Sequence, residues 1–290
     1  MTEIAGNRVR YRPSRFRLRR PSAGAVVAYG LLLLWAALSL MPIYWMVTIS
    51  FMNVVTLLRM PPDLLPWPVI LTNYTRLLSR SLLPRWELNS AMVALANTSI
   101  SLFVSSFYGY IFAKKQFPGR EVFFWMLIGT MMVPFQVEVI PIFLMFRRFN
   151  MVNTYWALIV PGLFSAYGVF LMRQVMKPLP SELIDAARID GCGEFDIYRR
   201  IMLPLAKPGL AVLGIFTFVG NWNDFFWPLV VLNKPAMYTL PVGLPTLQGQ
   251  WTDYGLLMAG STLAAVPTII LFLAFQRYFL QGVTVGALKG

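Results

Sequence analysis

Apolar residues run along this chain in long unbroken blocks, not at alternating positions. Six blocks stand out, at residues 23–52, 88–113, 122–146, 149–172, 208–233 and 254–276. Each is long enough to cross a bilayer, which takes roughly 20 apolar residues in a helix. A membrane barrel would alternate apolar and polar every second residue, so the pattern predicts helices and excludes that fold. Two blocks carry an acid, Glu138 in the third and Asp224 in the fifth. The third is also interrupted by Pro134 and Pro141.

Composition agrees with this picture. Of the 290 residues, 57% are hydrophobic and 13% charged, and the mean hydropathy is +0.61. Soluble domains carry about 25% charged residues. The net charge of +13 is concentrated at the start, where seven arginines (Arg8, Arg10, Arg12, Arg15, Arg17, Arg19 and Arg20) precede the first apolar block. Such a tail reads as a signal for membrane orientation, not as a nucleic-acid site. The first block exceeds the 7–15 residues or so of a signal-peptide core. Placing the N-terminus in the cytoplasm leaves eighteen Lys and Arg inside and seven outside, which predicts both termini inside. Trp67, Trp86, Trp156 and Trp251 then fall beside the outer ends of spans, where aromatic belts form. The expected organisation is a basic cytoplasmic tail (1–22), a first span (23–52), an outer loop (53–87), a core of five spans (88–282) and a short cytoplasmic tail (283–290).

The side-chain inventory narrows the chemistry. There is no histidine and one cysteine, Cys192. That excludes Ser-His-Asp and Cys-His catalysis, a disulfide within the chain and His- or Cys-based metal cages. No metal site is expected.

The inner loop 173–207 carries the most informative pattern. Ser181 is placed to cap a helix, with Glu182 and Asp185 in its first turn near the positive dipole end. Gly191 suits the left-handed residue that closes it. A second short helix is expected over 193–202. Phe195, Tyr198 and Met202 would share one of its faces, and Pro204 and Pro208 would stop it. A helix–turn–helix of this kind offers a docking surface to a partner.

The run Asp185, Ala186, Ala187, Arg188, Ile189, Asp190, Gly191, followed by Ile201, Met202, Leu203 and Pro204, resembles the EAA loop of ATP-binding-cassette importer permeases. The family's Glu is Asp185 here, and its small residue after Gly is Cys192. The segments Asn221–Leu229, Tyr238–Gly243 and Gln276–Gly290 resemble the maltose-type carbohydrate permeases, in particular the six-helix partner of their heterodimer. The resemblance implies a type I importer permease fold, all helical with six transmembrane helices. It implies a non-catalytic subunit in a bacterial-type inner membrane. It further implies a second permease subunit, two ATPase subunits that hold ATP and Mg, and an external binding protein. Consistent with this, the chain has no Gly-Lys pair and so no phosphate loop of its own. Asp185, Ala186, Ala187, Asp190, Gly191 and Pro204 would couple to the ATPase.

Polar groups inside apolar blocks are the expected pathway residues, because ionisable groups in a membrane usually face a cavity or a partner. They are Gln136 and Glu138 in the third block, and Asn221, Trp222, Asn223 and Asp224 in the fifth. Asn97 and Ser101 suit interhelical hydrogen bonds. In the outer loop 234–253, Gln248 and Trp251 are the expected contacts to the binding protein. A sugar or oligosaccharide is the expected cargo, with glycerol phosphate as the alternative. An ion-coupled transporter would show internal repeats and charged pairs at mid-membrane, and neither is evident.

Overall fold

The computed structural model of the chain describes residues 22–53, 63–247 and 253–287, with side chains as far as Gln276. Among the described residues there are only helices and connections. Four helical stretches are long and apolar enough to span a membrane, and two bent helix pairs raise the number to six.

Helix α1 (Ala23–Ser50) begins in a separate unit, residues 23–45 of which form an apolar helix with nearly every side chain exposed. A helix apolar on all sides is built for lipid or for a protein partner.

The second unit begins at Met46. Here the last residues of α1 meet α2 (Thr72–Arg80): Asn73 Nδ2 donates to the carbonyls of Ser50 and Met52, each at 3.0 Å. Helix α3 (Leu83–Lys114) is the central post, starting five residues earlier than its apolar block because Pro84 fits a first helical turn. It packs mainly against α7 (Ala166–Met176) and α10 (Lys207–Trp222), and α10 in turn packs on α12 (Tyr254–Ala287).

The α3–α7 contact is set by small residues. Ser101, Ser105 and Gly109 recur every fourth position on α3, so they lie on one face. A Cβ on Gly109 would stand 2.5 Å from Met172 Cβ, and one on Gly168 only 2.2 Å from Ser105 Oγ. Two backbones can approach this closely only where side chains are absent. Such stripes join membrane helices, because lipid removes the hydrophobic drive between them.

The third apolar block does not form one straight helix. Helices α4 (Arg120–Thr130) and α5 (Phe135–Arg148) meet at 93°. Pro134 precedes α5, and a proline there has no N–H with which to continue the earlier helix. Pro141, by contrast, is accommodated inside α5 without a break. The fourth block also breaks, between α6 (Tyr155–Ile159, extended by a tight turn to Leu163) and α7, at Phe164 and Ser165. There Ser165 Oγ accepts the Gly168 N–H at 3.0 Å and caps α7.

The segment expected as a long outer loop, 234–253, is pinned down over much of its length. Trp86 Nε1 donates to the Pro235 carbonyl at 2.7 Å. Asn89 Nδ2 donates to the carbonyls of Ala236 (3.1 Å) and Tyr238 (2.8 Å). The Leu240 N–H reaches Ser90 Oγ at 2.7 Å. Trp86 is therefore a buried anchor and not a belt residue, whereas Trp67 and Trp156 are exposed.

Candidate functional site

Two regions hold the expected site residues. The first is the segment 173–207. It folds as α8 (Glu182–Ile189), then α9 (Glu194–Ile197), a π-helical turn (Tyr198–Met202) and one more turn through Leu205. Its apolar side packs into the bundle. Ile184, Ala187, Ile197, Tyr198 and Met202 form one core with Tyr110 of α3, Met172 and Met176 of α7, and Leu213 of α10. The segment is thus fastened to three long helices.

The turn between α8 and α9 explains Gly191, whose φ is +81°. Its N–H donates to the Arg188 carbonyl (3.0 Å), and the Cys192 N–H to the Ala187 carbonyl (2.9 Å). These are the two bonds of a Schellman closure, and Ala187 and Cys192 supply its apolar contact within the core. An L side chain at that φ is strained even though the space around Gly191 is open.

Four details depart from the sequence reading. Ser181 makes no capping bond to α8; its hydroxyl lies 3.4 Å from Lys114 Nζ instead. Pro204 does not stop the second helix, which continues through Leu205 and then turns by 80° into α10 at Ala206. Pro208 is responsible, since it lacks the N–H that would bond back to Pro204. Phe195 does not share the buried face of Tyr198 and Met202 but is exposed. Ala187 is buried in the core, whereas Ala186 is exposed. The exposed side of the segment carries Leu183, Ile189 and Phe195, and Ile189 is 87% exposed.

A charged cluster ties this segment to the end of α3. Glu194 accepts from Lys115 and from Arg188 Nη2 (3.0 Å), and Tyr110 OH donates to it at 3.3 Å. The hydrogen bond from Lys115 holds the Glu194 carboxyl below the usual carboxylate range, with partial desolvation opposing it and Arg188 assisting. Asp185 is exposed and pairs with Arg188 at 3.3 Å, while Asp190 is exposed beside Gly191. Nearby, Nη2 of the buried Arg173 donates to both carboxylate oxygens of Glu121 (2.8 and 2.9 Å). Its guanidinium carbon lies 3.8 Å from the centre of the Phe124 ring. Sequence reasoning missed Glu194, Lys115, Glu121 and Arg173. Their charges lie at helix ends, where a sequence pattern does not reveal pairing across the fold.

The second region is a cavity of about 360 Å³. Ser101 of α3, Ser165 and Tyr167 at the α6–α7 break, and Thr217, Gly220 and Asn221 of α10 line it. Asn221 is fixed there: its Oδ1 accepts from Asn97 Nδ2 at 2.6 Å, and its Nδ2 donates to the Thr217 carbonyl at 2.8 Å.

The other expected pathway residues lie elsewhere. Trp222 is buried on the far side of α10, its Nε1 donating to the Ala264 carbonyl at 3.0 Å, so it serves packing. Asn223 is exposed and bonds back to the Val219 carbonyl. The Asp224 carboxylate accepts from the backbone N–H groups of Phe226 and Trp227, at the start of α11 (Phe226–Val231). Gln136 and Glu138 sit in the first turn of α5 and do not line the cavity. Gln248 and Trp251 lie outside the described residues. Among the described residues, no group of His, Cys, Asp and Glu is arranged to hold a metal ion.

Long apolar helices, two of them in bent pairs, and a small-residue seam between helices define a multi-pass helical membrane protein. Residues 105–285 match the family described as binding-protein-dependent transport system inner membrane component. The chain is 45% identical over 206 residues to an arabinooligosaccharides transport system permease protein, AraQ, of Halalkalibacterium halodurans, covering 71% of this chain and 74% of that one. It is 38% identical to the AraQ of Bacillus subtilis, over 94% of this chain and all of that one. It is 33% identical to a lactose transport system permease protein, LacG, of Rhizobium radiobacter, over 91% and 96% of the two chains. The fold matches a chain of a bacterial ABC transporter involved in the import of the acidic polysaccharide alginate, with a TM-score of 0.81, 24% identity and coverage of 92% of this chain and 100% of that one. The chain belongs to the family of binding-protein-dependent transport system inner membrane components. It is a non-catalytic permease subunit of an ABC transporter.

Proposed function

We propose that this chain pairs with a second, different permease subunit to form the path for a neutral sugar or oligosaccharide delivered by an external binding protein. Both termini lie in the cytoplasm in this reading. Two ATPase subunits supply ATP and Mg binding and dock on the segment 173–207, with Gln248 and Trp251 facing the binding protein at the other membrane surface. The observation that carries the reading is the segment itself. It is closed by Gly191, packed on α3, α7 and α10, and leaves Leu183, Ile189 and Phe195 exposed on its outer side. A partner pressing on that side would move three membrane helices together, because packed interfaces switch between arrangements and do not deform gradually. The names of the AraQ and LacG relatives support a saccharide cargo.

The test is reconstitution. This chain is co-expressed with a candidate second permease, ATPase subunits and binding protein and purified into lipid nanodiscs. Sugar-loaded binding protein should stimulate ATP hydrolysis by the assembly, and the chain alone should hydrolyse none. Failure of the ATPase to co-purify would overturn the reading.

A further inference from the structure

Two adjacent lysines close α3, and each holds a different end of α8. Lys114 Nζ donates to the carbonyls of Lys177 (3.2 Å) and Leu179, and lies 3.4 Å from Ser181 Oγ. An ammonium carries three protons, enough for all three acceptors. These acceptors form the turn that leaves α7 and enters α8, where helix-end carbonyls have no partner of their own. Lys115 Nζ donates to Glu194, the first residue of α9, just past the Gly191 turn. Arg188, in the last turn of α8, meets the same carboxylate at 3.0 Å. The Lys115 side chain is only 23% exposed, and its ammonium lies 5.2 Å from the centre of the Tyr110 ring. One lysine thus grips the chain before α8 and its neighbour grips the chain after it.

The apolar core does not duplicate these grips. Within α8 only Ile184 and Ala187 are buried, both in the middle of the helix. Two apolar side chains fix the position of so short a helix but leave it able to tilt about them. The end of α3 also carries its neighbours. Arg173 Nε of α7 donates to the Phe112 carbonyl at 3.3 Å, and Arg120 Nη1 of α4 to the Lys115 carbonyl at 3.0 Å.

We propose that Lys114 and Lys115 are the positioning residues through which a push on α8 reaches α3, and with it α4 and α7. This rests on the importer reading above and names the side chains that pass the ATPase movement into the membrane helices. Bonds from an ammonium are about twice as strong as neutral ones. Set on both sides of α8, they resist tilt as well as translation, so the helix moves with the end of α3. Neither lysine belongs to the exposed apolar side formed by Leu183, Ile189 and Phe195, so removing their charge leaves the ATPase its surface.

The experiment uses the complete transporter in nanodiscs and follows amide hydrogen exchange, first without nucleotide and then trapped with ATP and vanadate. In the wild type, trapping should change exchange both in residues 182–197 and in residues 105–115. In the Lys114→Met, Lys115→Met double variant the ATPase should still co-purify and residues 182–197 should still respond. The response of residues 105–115 should fall at least about threefold, since losing a partly exposed ion pair shifts an equilibrium severalfold. Lys115→Arg keeps the cation and should respond as the wild type does. Glu194→Gln should reproduce Lys115→Met, and combining the two should add little to either, as for two residues that act through one contact. A wild-type response of residues 105–115 in the double lysine variant would overturn the proposal. So would fully additive losses from Lys115→Met and Glu194→Gln. Exchange that is faster to the same extent with and without nucleotide would mark a merely stabilising role and overturn it too. A wild-type chain that fails to hold the ATPase strikes the importer reading instead, so the two failures are separable.

Discussion

The Ser106 Oγ and the Tyr198 hydroxyl lie 2.8 Å apart, joining the middle of α3 to the π-helical turn of the 173–207 segment. Tyr198 is wholly enclosed, with the Phe107 ring edge-on to it and the Tyr110 ring tilted against it. Removing its hydroxyl leaves Ser106 still donating to the Leu102 carbonyl at 2.6 Å. Tyr198→Phe should therefore cost only about 0.5–1.5 kcal/mol. Tyr198→Ala removes a large buried ring and should cost about 3–5 kcal/mol. Thermal unfolding of the purified protein in detergent checks the ranking, and equal losses in the two variants would refute it.

The α3–α7 seam makes a second prediction. Gly109→Ala forces its new methyl against Met172 and the backbone of Arg173. Overpacking of this kind costs about 1–3 kcal/mol. Gly129→Ala, in a helix with open space, should be neutral or stabilising by up to about 1 kcal/mol. Unfolding midpoints of the two variants should move in opposite directions, or at least differ clearly.

Arg173 is not interchangeable with lysine. Its Nη2 donates to both Glu121 oxygens while its Nε donates to the Phe112 carbonyl and its planar face lies on Phe124. An ammonium group cannot do all of this. The pair also suits its location, a cation in the last turn of α7 beside an acid in the first turn of α4. Glu121 is half exposed, which limits the effect, so Arg173→Lys should cost on the order of 1 kcal/mol. Loss of the α4–α7 contact should appear as faster proteolysis near residues 115–121.

Glu194 predicts a pH dependence. Its carboxyl is held below the usual range, chiefly by Lys115. A depressed carboxylate contributes stability above its unfolded value, about 4.3, and loses it as pH falls through the lower folded value. The wild-type protein should therefore lose thermal stability below about pH 4. Glu194→Gln should show a smaller loss there and be less stable at pH 7. A variant with an unchanged acid profile would contradict the assignment.

The length and continuity of the apolar blocks made the helices legible, because a bilayer demands both. Gly191 was legible for a similar reason, since few residues close a helix in the left-handed region. The bends at Pro134 and Ala206 were less so: proline marks a possible break, but packing decides which ones bend, and Pro141 does not. Trp222 shows why the pathway was hard to read. Its neighbours Asn221 and Asn223 look alike in sequence, yet helical rotation turns Asn221 to the cavity, Trp222 to the core and Asn223 outward. The ion pairs of Glu194 and Arg173 depend on approaches between distant segments, which a single sequence does not record.

Gly191→Val in the full transporter decides whether the 173–207 segment couples the ATPase to the membrane helices. At φ +81° a β-branched residue costs on the order of 1–2 kcal/mol, enough to open the turn between α8 and α9 but not to unfold the bundle. The variant should reach the membrane, bind the ATPase weakly and lose transport. Asp185→Ala should do so more mildly, as an exposed charge is partly solvated, and Asp185→Glu should be tolerated. The reading is co-purified ATPase together with ATP hydrolysis stimulated by sugar-loaded binding protein. Both should fall in Gly191→Val; wild-type levels of both would rule out a coupling role for the 173–207 segment.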